Sequence, residues 1–384
     1  MNILLYDSSS YIQRDLMYFL KSAGHHCKNL TYKLTDTYHD TFFEDKFLYY
    51  LKNFHWDCVI SANFYPIIAR ICQQQNIKYI SWIYDSPTDK SQMSYYQFET
   101  NYIFVFDRMD AELLIRKGAI HVYHLPLAVN TSRLDNITLS ESDLANYSAD
   151  ISFVGQFYNN TLNQLLRCQA PYDIGYIDSI VQSQLQIYGY NFIENMITDE
   201  LLQRLNQNLF SNTSSSLQLT REGLYQSIAK EITHIERSVL CNILGQYYDF
   251  RYYSNEKQES LNHLKYCGTA YYYSEMPKIF KLSKMNLNPT LRTIQSGISL
   301  RVLDILGCKG GLLCNYQPEI LEYFENERDI ILYDSIENAL EKAEYYINHE
   351  SARIKIATNG YQKVSEAFSY PKRLSYIFKT AGLN

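Results

Sequence analysis

The chain has 384 residues, 46% of them hydrophobic and 20% charged, with a formal net charge of −6. A single core stops growing at roughly 250 to 300 residues, so two domains are expected, and this balance of apolar to charged residues excludes an intrinsically disordered chain. The acidic surplus excludes a general nucleic-acid binder, which needs a basic face.

The 8 cysteines are scattered without a CxxC pair, so neither a zinc site nor a disulfide framework is expected, and a reducing cytoplasm fits. The segment Met1 to Tyr6 is too short for a signal-peptide core, and no apolar run approaches the roughly 18 residues that span a bilayer. A cytoplasmic location without a transmembrane segment is therefore expected. The 37 tyrosines are spread along the chain and identify no site.

The first 130 residues alternate short apolar runs with helix-period stretches, the signature of βα units on a parallel sheet. Strands are expected at Ile3 to Tyr6, Cys58 to Ala62, Tyr79 to Tyr84, Ile103 to Phe106 and His121 to Leu125. Helices are expected at Tyr11 to Ser22, closed by Gly24, at Ile67 to Gln74 and at Ala111 to Lys117. The polar stretch Thr131 to Asp150 has no strong period and reads as an interdomain linker. A second series starts at Ile151 to Gly155 and is interrupted by a polar, helical stretch from Thr161 to about Glu236, with a loop at Asn212 to Ser216. Strands resume at Tyr248 to Tyr253, Met285 to Asn288, Gly311 to Asn315 and Ile330 to Tyr333. Residues Ser351 to Lys379 read as helix with a break at Tyr370-Pro371.

In an open α/β sheet, ligands bind beyond the carboxyl ends of the strands, so the residues just after each strand carry the chemistry. The first such loop, Asp7-Ser8-Ser9-Ser10, lacks the GxGxxG fingerprint of dinucleotide enzymes, and no Walker A loop occurs. Tyr84-Asp85-Ser86-Pro87 places a tyrosine and a carboxylate at a strand end. Asp107-Arg108 is placed similarly, and there capping of the next helix is the favoured role. His25-His26-Cys27 cannot form a single metal site, because neighbours in an extended segment point to opposite faces. Glu231, His234 and Arg237 share one helix face, which reads as solvated.

The strongest local signal is Arg292 to Asp304. Ser296-Gly297 makes a turn and Ser299 is a natural N-cap for a helix from Leu300 to Cys308. Amides at that helix start suit a phosphate, while Arg301 and Asp304, three residues apart, project from one face. Together they suit a diphosphate and a ribose. Spacing alone nonetheless favours a plain i,i+3 ion pair on a solvated helix.

These segments resemble the bacterial group 1-like glycosyltransferases of the CgeB-type, spore-maturation protein-like family. The resemblance is carried by Tyr79 to Pro87, Phe104 to Arg108, His124 to Asn130 and Ser152 to Gly155. It is strongest over Leu287 to Arg292, Ser296 to Asp304 and Asn315 to Glu319. It implies an α/β GT-B fold, with two doubly wound Rossmann-like domains facing a cleft and a helical insertion in the second. The first domain would span 1–140 and bind the acceptor, with the last helix, about 365–384, packing back on it. The second, 148–364, would bind the nucleotide-sugar.

The resemblance further implies transfer from a nucleotide-diphosphate sugar, UDP-sugar first, to a protein or glycan acceptor. The expected donor contacts are Gly155, Gln156, Arg292, Ser296, Gly297, Ile298, Ser299, Leu300, Arg301 and Asp304. Asp304 matches the second carboxylate of the Glu-x7-Glu pattern, which grips the ribose, and Ser296 replaces the first glutamate. Tyr84 and Asp85 fall where relatives carry His-Asp facing the transferred sugar, and Asp85 is the first candidate for a base. Tyrosine, with an unperturbed pKa of about 10, cannot replace that histidine as a base near neutral pH. No metal or other cofactor is expected, and no nucleic acid partner; a homo-oligomer stays open. The alternatives are a catalytically degenerate sugar-nucleotide binder or scaffold, and a nucleotide-sugar epimerase.

Overall fold

The computed structural model describes residues 1–158, 161–212 and 218–383. The chain divides into two compact units, Met1–Arg133 with Val364–Asn384, and Leu134–Lys363. The expected loop at Asn212 to Ser216 falls, from Thr213 on, outside the described residues.

The first unit holds strands β1 (Asn2–Asp7), β2 (His26–Thr31), β3 (Cys58–Ala62), β4 (Lys78–Ile83), β5 (Asn101–Val105) and β6 (Val122–His124). They form one sheet in the order β2-β1-β3-β4-β5-β6, every pair parallel. Helices cover both faces of such a sheet, so its central strands are apolar without alternation. Ile3, Leu4, Leu5 and Tyr6 are accordingly all buried. Strand order reverses between β1 and β3, and this is the crevice where a doubly wound sheet takes ligand.

The helix Gln13–Ser22 ends as expected, with Gly24 at φ +82 just beyond it, a conformation that a Cβ disfavours. Strand β2 and the helix Thr41–Asn53 are additions to the expected elements. That helix is anchored by Phe43, Phe47 and Leu51 and capped by Asp40, whose carboxylate accepts from the Phe43 amide at 3.0 Å. The final helix, Tyr370–Thr380, carries Pro371 in its first turn and belongs to the first unit. Tyr370 stacks on Phe19 at 5.0 Å, and Lys78 Nζ donates to the Ala381 carbonyl at 2.6 Å.

The stretch read as a plain linker contains two helices, Thr131–Asp135 and Glu141–Tyr147. The second is set by a capping box in which Ser140 Oγ accepts from the Asp143 amide and Asp143 accepts from the Ser140 amide. Their polar sequences lack a core stripe, which is why periodicity does not find them.

The second unit holds β7 (Ala149–Val154), β8 (Phe250–Tyr253), β9 (Lys265–Tyr266), β10 (Ser283–Asn288), β11 (Leu312–Asn315) and β12 (Ile331–Tyr333). Their order is β12-β11-β10-β7-β8-β9, again all parallel. This is the Rossmann order, with its switch point between β7 and β10. The connection from β7 to β8 is helical and ends in the helix Arg221–Leu244. Leu224, Ile228 and Ile232 of that helix, four residues apart, pack into a helical core, while Leu240 and Leu244 further along pack into the sheet core. One helix thereby ties the insertion to the sheet. No helix among the described residues is long and apolar enough to cross a membrane.

Candidate functional site

The crevice at the β7–β10 switch point is built around Arg237. Its Nε and Nη2 donate to the Pro289 carbonyl at 3.0 and 2.6 Å, and its Nη1 donates to the Gln156 carbonyl. The loops that leave β7 and β10 are therefore fixed to one guanidinium. Gly155 makes the turn out of β7: a Cβ there would sit 3.0 Å from Phe153 Cζ and 3.7 Å from Arg237 Nη1. Gln156 beside it is exposed. The helix face of Glu231, His234 and Arg237 is thus not solvated as expected. Arg237 is buried, His234 Nδ1 lies 3.0 Å from the Phe157 carbonyl, and burial raises the pKa of Glu231.

Beyond β10, the chain turns through Ser296-Gly297-Ile298 into the helix Leu300–Gly307. Ser299 stands at the N-cap position, but its side chain makes no capping hydrogen bond and its buried Oγ has no hydrogen-bond partner among the described residues. The start of this helix therefore has no side-chain cap, and its amides and dipole favour an anion. Val302, Leu303, Ile305 and Leu306 fasten the helix to the core.

Asp304, only 4% exposed, accepts from the Tyr272 hydroxyl at 2.9 Å. Arg301 Nη1 lies 3.9 Å from Asp304 Oδ2 and 2.8 Å from Met276 Sδ, with its guanidinium over the Phe280 ring at 5.4 Å. The i,i+3 ion pair that spacing favours is present at 3.9 Å, but it does not lie on a solvated helix face. Instead a buried carboxylate and a partly buried guanidinium share one side of the helix, held by the segment that follows β9. Tyr272 carries no sequence signal of its own; its role appears only when that segment folds over Asp304.

Two further expected residues are placed differently from one another. Ser296 is buried and donates from its Oγ to Glu319 Oε1 at 2.6 Å. Arg292 is buried in an ion pair with Glu236, Nη2 to Oε2 at 2.9 Å, and its guanidinium faces the Tyr188 ring at 4.3 Å. Desolvation, the largest influence, opposes the charge on Arg292, but Glu236, Tyr188 and Tyr333 together outweigh it and the pKa is raised. Tyr333 donates to the second Glu236 oxygen at 2.9 Å, so this cluster orders the loop after β10 from beneath.

In the first unit, Asn63 organises the strand ends. Held at φ +63 just past β3, it donates from Nδ2 to Asp85 Oδ2 at 2.6 Å and accepts from the Tyr84 and Asp85 amides at 2.8 and 3.2 Å. Desolvation raises the Asp85 pKa, while the Asn63 amide pulls it back. The Tyr84 ring packs against Trp82 at 5.2 Å. Tyr65 donates to Ser8 Oγ at 2.8 Å, which links the loops after β1 and β3. Asp107 caps the helix Arg108–Arg116 as expected, accepting from the Met109 and Asp110 amides. Asn63 was legible in principle, since it directly follows a strand.

Residues 221–379 match the family model described as glycosyl transferase-like. No curated protein matches the chain in sequence. Among solved structures, the chain is similar to sucrose-phosphate synthase (tll1590) from Thermosynechococcus elongatus, with a TM-score of 0.58 and 9% identity over 99% of this chain and 98% of that one. It is similar to a glycosyltransferase from Rickettsia africae ESF-5, with a TM-score of 0.55 and 11% identity over 99% and 98% of the two chains. Anabaena Alr3699/HepE, solved in complex with UDP and glucose, gives a TM-score of 0.53 and 10% identity over 100% and 99%. The two parallel six-stranded sheets and these likenesses identify the fold as GT-B, with two Rossmann-like domains, and residues 221–379 are those that match glycosyl transferase-like proteins.

Proposed function

We propose that the protein is a group 1-like, CgeB-type glycosyltransferase that moves a hexosyl or N-acetylhexosaminyl unit from a UDP-sugar to a protein or glycan acceptor in the cytoplasm. The observation that carries this reading is the buried Asp304, held by Tyr272 beside Arg301, on a helix whose start lacks a side-chain cap. Asp304 would accept hydrogen bonds from ribose hydroxyls. The helix start and Arg301 would hold the diphosphate. Gly155 and Gln156 would line the turn beneath the donor, with Gly297, Ile298, Ser299 and Leu300 closing on the phosphates and Arg292 bracing their loop. The Anabaena protein solved with UDP and glucose supports a uridine nucleotide as the first donor to try.

In the transfer, the bond from the anomeric carbon to the diphosphate oxygen breaks and a bond to an acceptor oxygen forms. The helix amides and Arg301 offset the charge that develops on the leaving diphosphate, so the step is proposed to run without a metal. With inversion, Asp85 takes the acceptor proton, and its raised pKa brings it nearer the range where a carboxylate base works. With retention, Asp85 positions the sugar instead, and the acceptor proton passes to the leaving diphosphate oxygen. Incubation with UDP-, GDP- and dTDP-sugars, following nucleotide release, tests the reading, and absence of both release and donor binding would refute it. A second reading, a sugar-nucleotide binder without turnover, is favoured by Ser296 standing where a glutamate is expected. Donor binding without release under any acceptor would decide for it.

A further inference from the structure

A cavity of about 340 Å³ opens at the carboxyl ends of β11 and β12, on the outer side of the second sheet. That volume lies at the small end of the range for small-molecule sites, roughly 300 to 1,000 Å³, and suits a single pyranose with its substituents. Tyr316 and Asp334, which directly follow the two strands, stand at the cavity with Tyr188, Asn326, Asn338 and Lys342.

The aromatic wall is built in. Gly189 at φ +75 makes room for Tyr316, because a Cβ there would sit 2.2 Å from Tyr316 Cε1. Tyr316 is also tied through its amide to the Tyr333 carbonyl at 2.7 Å. Tyr188 meets Tyr333 edge to face at 5.8 Å. The partly exposed Tyr316 ring offers a flat face of the kind on which the C–H face of a sugar stacks, and it does so with little side-chain entropy to lose.

Apart from Asp334, the polar groups are neutral or already balanced. Lys342 Nζ pairs with Glu327 at 2.8 Å and donates to the Leu332 carbonyl at 2.6 Å. Asn326 accepts from the Leu332 amide through Oδ1, which leaves its amide nitrogen to donate, and the Asn338 side chain has no hydrogen-bond partner among the described residues. With Asp334 exposed at the rim, an anion is disfavoured. An amide can both donate to and accept from hydroxyls, so the wall matches a neutral polyol.

We propose that this cavity is a glycan subsite, separate from the donor crevice at the β7–β10 switch point, which takes one neutral pyranose of an oligosaccharide by stacking on Tyr316 and hydrogen bonding to Asn326 and Asn338. It goes beyond the transferase reading and is read by binding alone. The test titrates the whole protein with maltotetraose, cellotetraose, chitotetraose and mannotetraose by calorimetry, with UDP titrated in parallel. At least one tetrasaccharide should bind in the millimolar range or tighter, with affinity kept in Tyr316→Phe and lowered about tenfold in Tyr316→Ala and in Asn338→Ala. UDP affinity should be unchanged in all three variants. Asn338 is only half-buried, so its variant carries the test should Tyr316→Ala fail to fold. No binding of any tetrasaccharide, equal binding in the wild type and Asn338→Ala, or displacement of the sugar by inorganic phosphate would overturn the proposal. Nucleotide release is measured separately, so failure of the transferase reading leaves these outcomes legible.

Discussion

Ser296 and Glu319 hold each other twice: the serine hydroxyl donates to Glu319 Oε1 at 2.6 Å, and the Glu319 amide donates to the Ser296 carbonyl at 3.2 Å. Both residues are buried. The loop after β10 and the segment after β11 are thereby clasped together, with a carboxylate reaching position 296 from a different part of the chain. A glutamate at 296 would set two carboxylates against each other in a buried place, where like charges repel strongly. Ser296→Glu, the change toward the glutamate pattern of related transferases, is therefore expected to weaken UDP binding and lower stability. Ser296→Ala should cost about 1 to 3 kcal/mol, because it deprives the Glu319 carboxylate of a donor. Urea denaturation and UDP titration check both, and tighter binding by Ser296→Glu would show that Glu319 does not occupy this role.

Asp304 and Arg301 make separable predictions. Removing the carboxylate in Asp304→Ala breaks the bond from the Tyr272 hydroxyl and takes away the acceptor proposed for the ribose, so UDP affinity should fall about 10- to 100-fold, as for a hydrogen bond to a charged group. Uridine affinity should fall with it. Arg301→Ala should weaken UDP binding while changing uridine binding little, since its proposed partner is the diphosphate. Calorimetric titration of both ligands against both variants distinguishes the roles, and equal losses for uridine and UDP in Arg301→Ala would reassign the arginine.

Much of the fold is legible in the sequence because buried parallel strands announce themselves: Ile3 to Tyr6 is an unbroken apolar run, and Cys58 to Ala62 is interrupted only by Ser61. Strand β2 fails that test because it is an edge strand with Leu30 as its one fully buried residue, so His26 to Thr31 reads as polar. The same limit applies to the site. Ser299 and Asp304 were found by helix start and spacing, both local signals. Tyr272, Glu319 and Glu236 act through partners far along the chain, and nothing near them in sequence reports the contact. Arg237 shows the converse error, where a charge on a helix reads as solvated although the helix is buried on more than one side.

The Arg292–Glu236 pair is expected to matter through stability. Both side chains are buried, and Glu236 also accepts from Tyr333, so each charge depends on the other being present. Glu236→Ala would leave the guanidinium without its counter-ion and should cost about 3 to 5 kcal/mol, whereas Tyr333→Phe removes one hydrogen bond and should cost about 1 to 3. Urea denaturation followed by circular dichroism measures both. A Glu236→Ala cost no larger than that of Tyr333→Phe would mean that the pair contributes little beyond its hydrogen bonds.

Asp110 gives the first unit a pH signature. The carboxylate is buried and accepts from the Thr88 amide at 2.8 Å and the Thr88 hydroxyl at 2.9 Å. Desolvation raises its pKa to about 6; the Thr88 bonds and Lys90 act in the opposite direction, and Asp107 adds to the rise. Below about pH 4 the group is protonated folded and unfolded alike, and its contribution to stability is fully present. As the pH rises through 6 the unfolded chain has already released the proton, so that contribution is lost, to a total of about 3 kcal/mol for two pKa units. Asp110→Asn cannot ionise and keeps an acceptor for the Thr88 amide. It should match the wild type near pH 4 and exceed its stability above pH 6. The 2 tryptophans, Trp56 and Trp82, both lie in the first unit, so their fluorescence in urea reports this transition without interference from the second. A variant that stays parallel to the wild type from pH 4 to 7 would place the proton elsewhere.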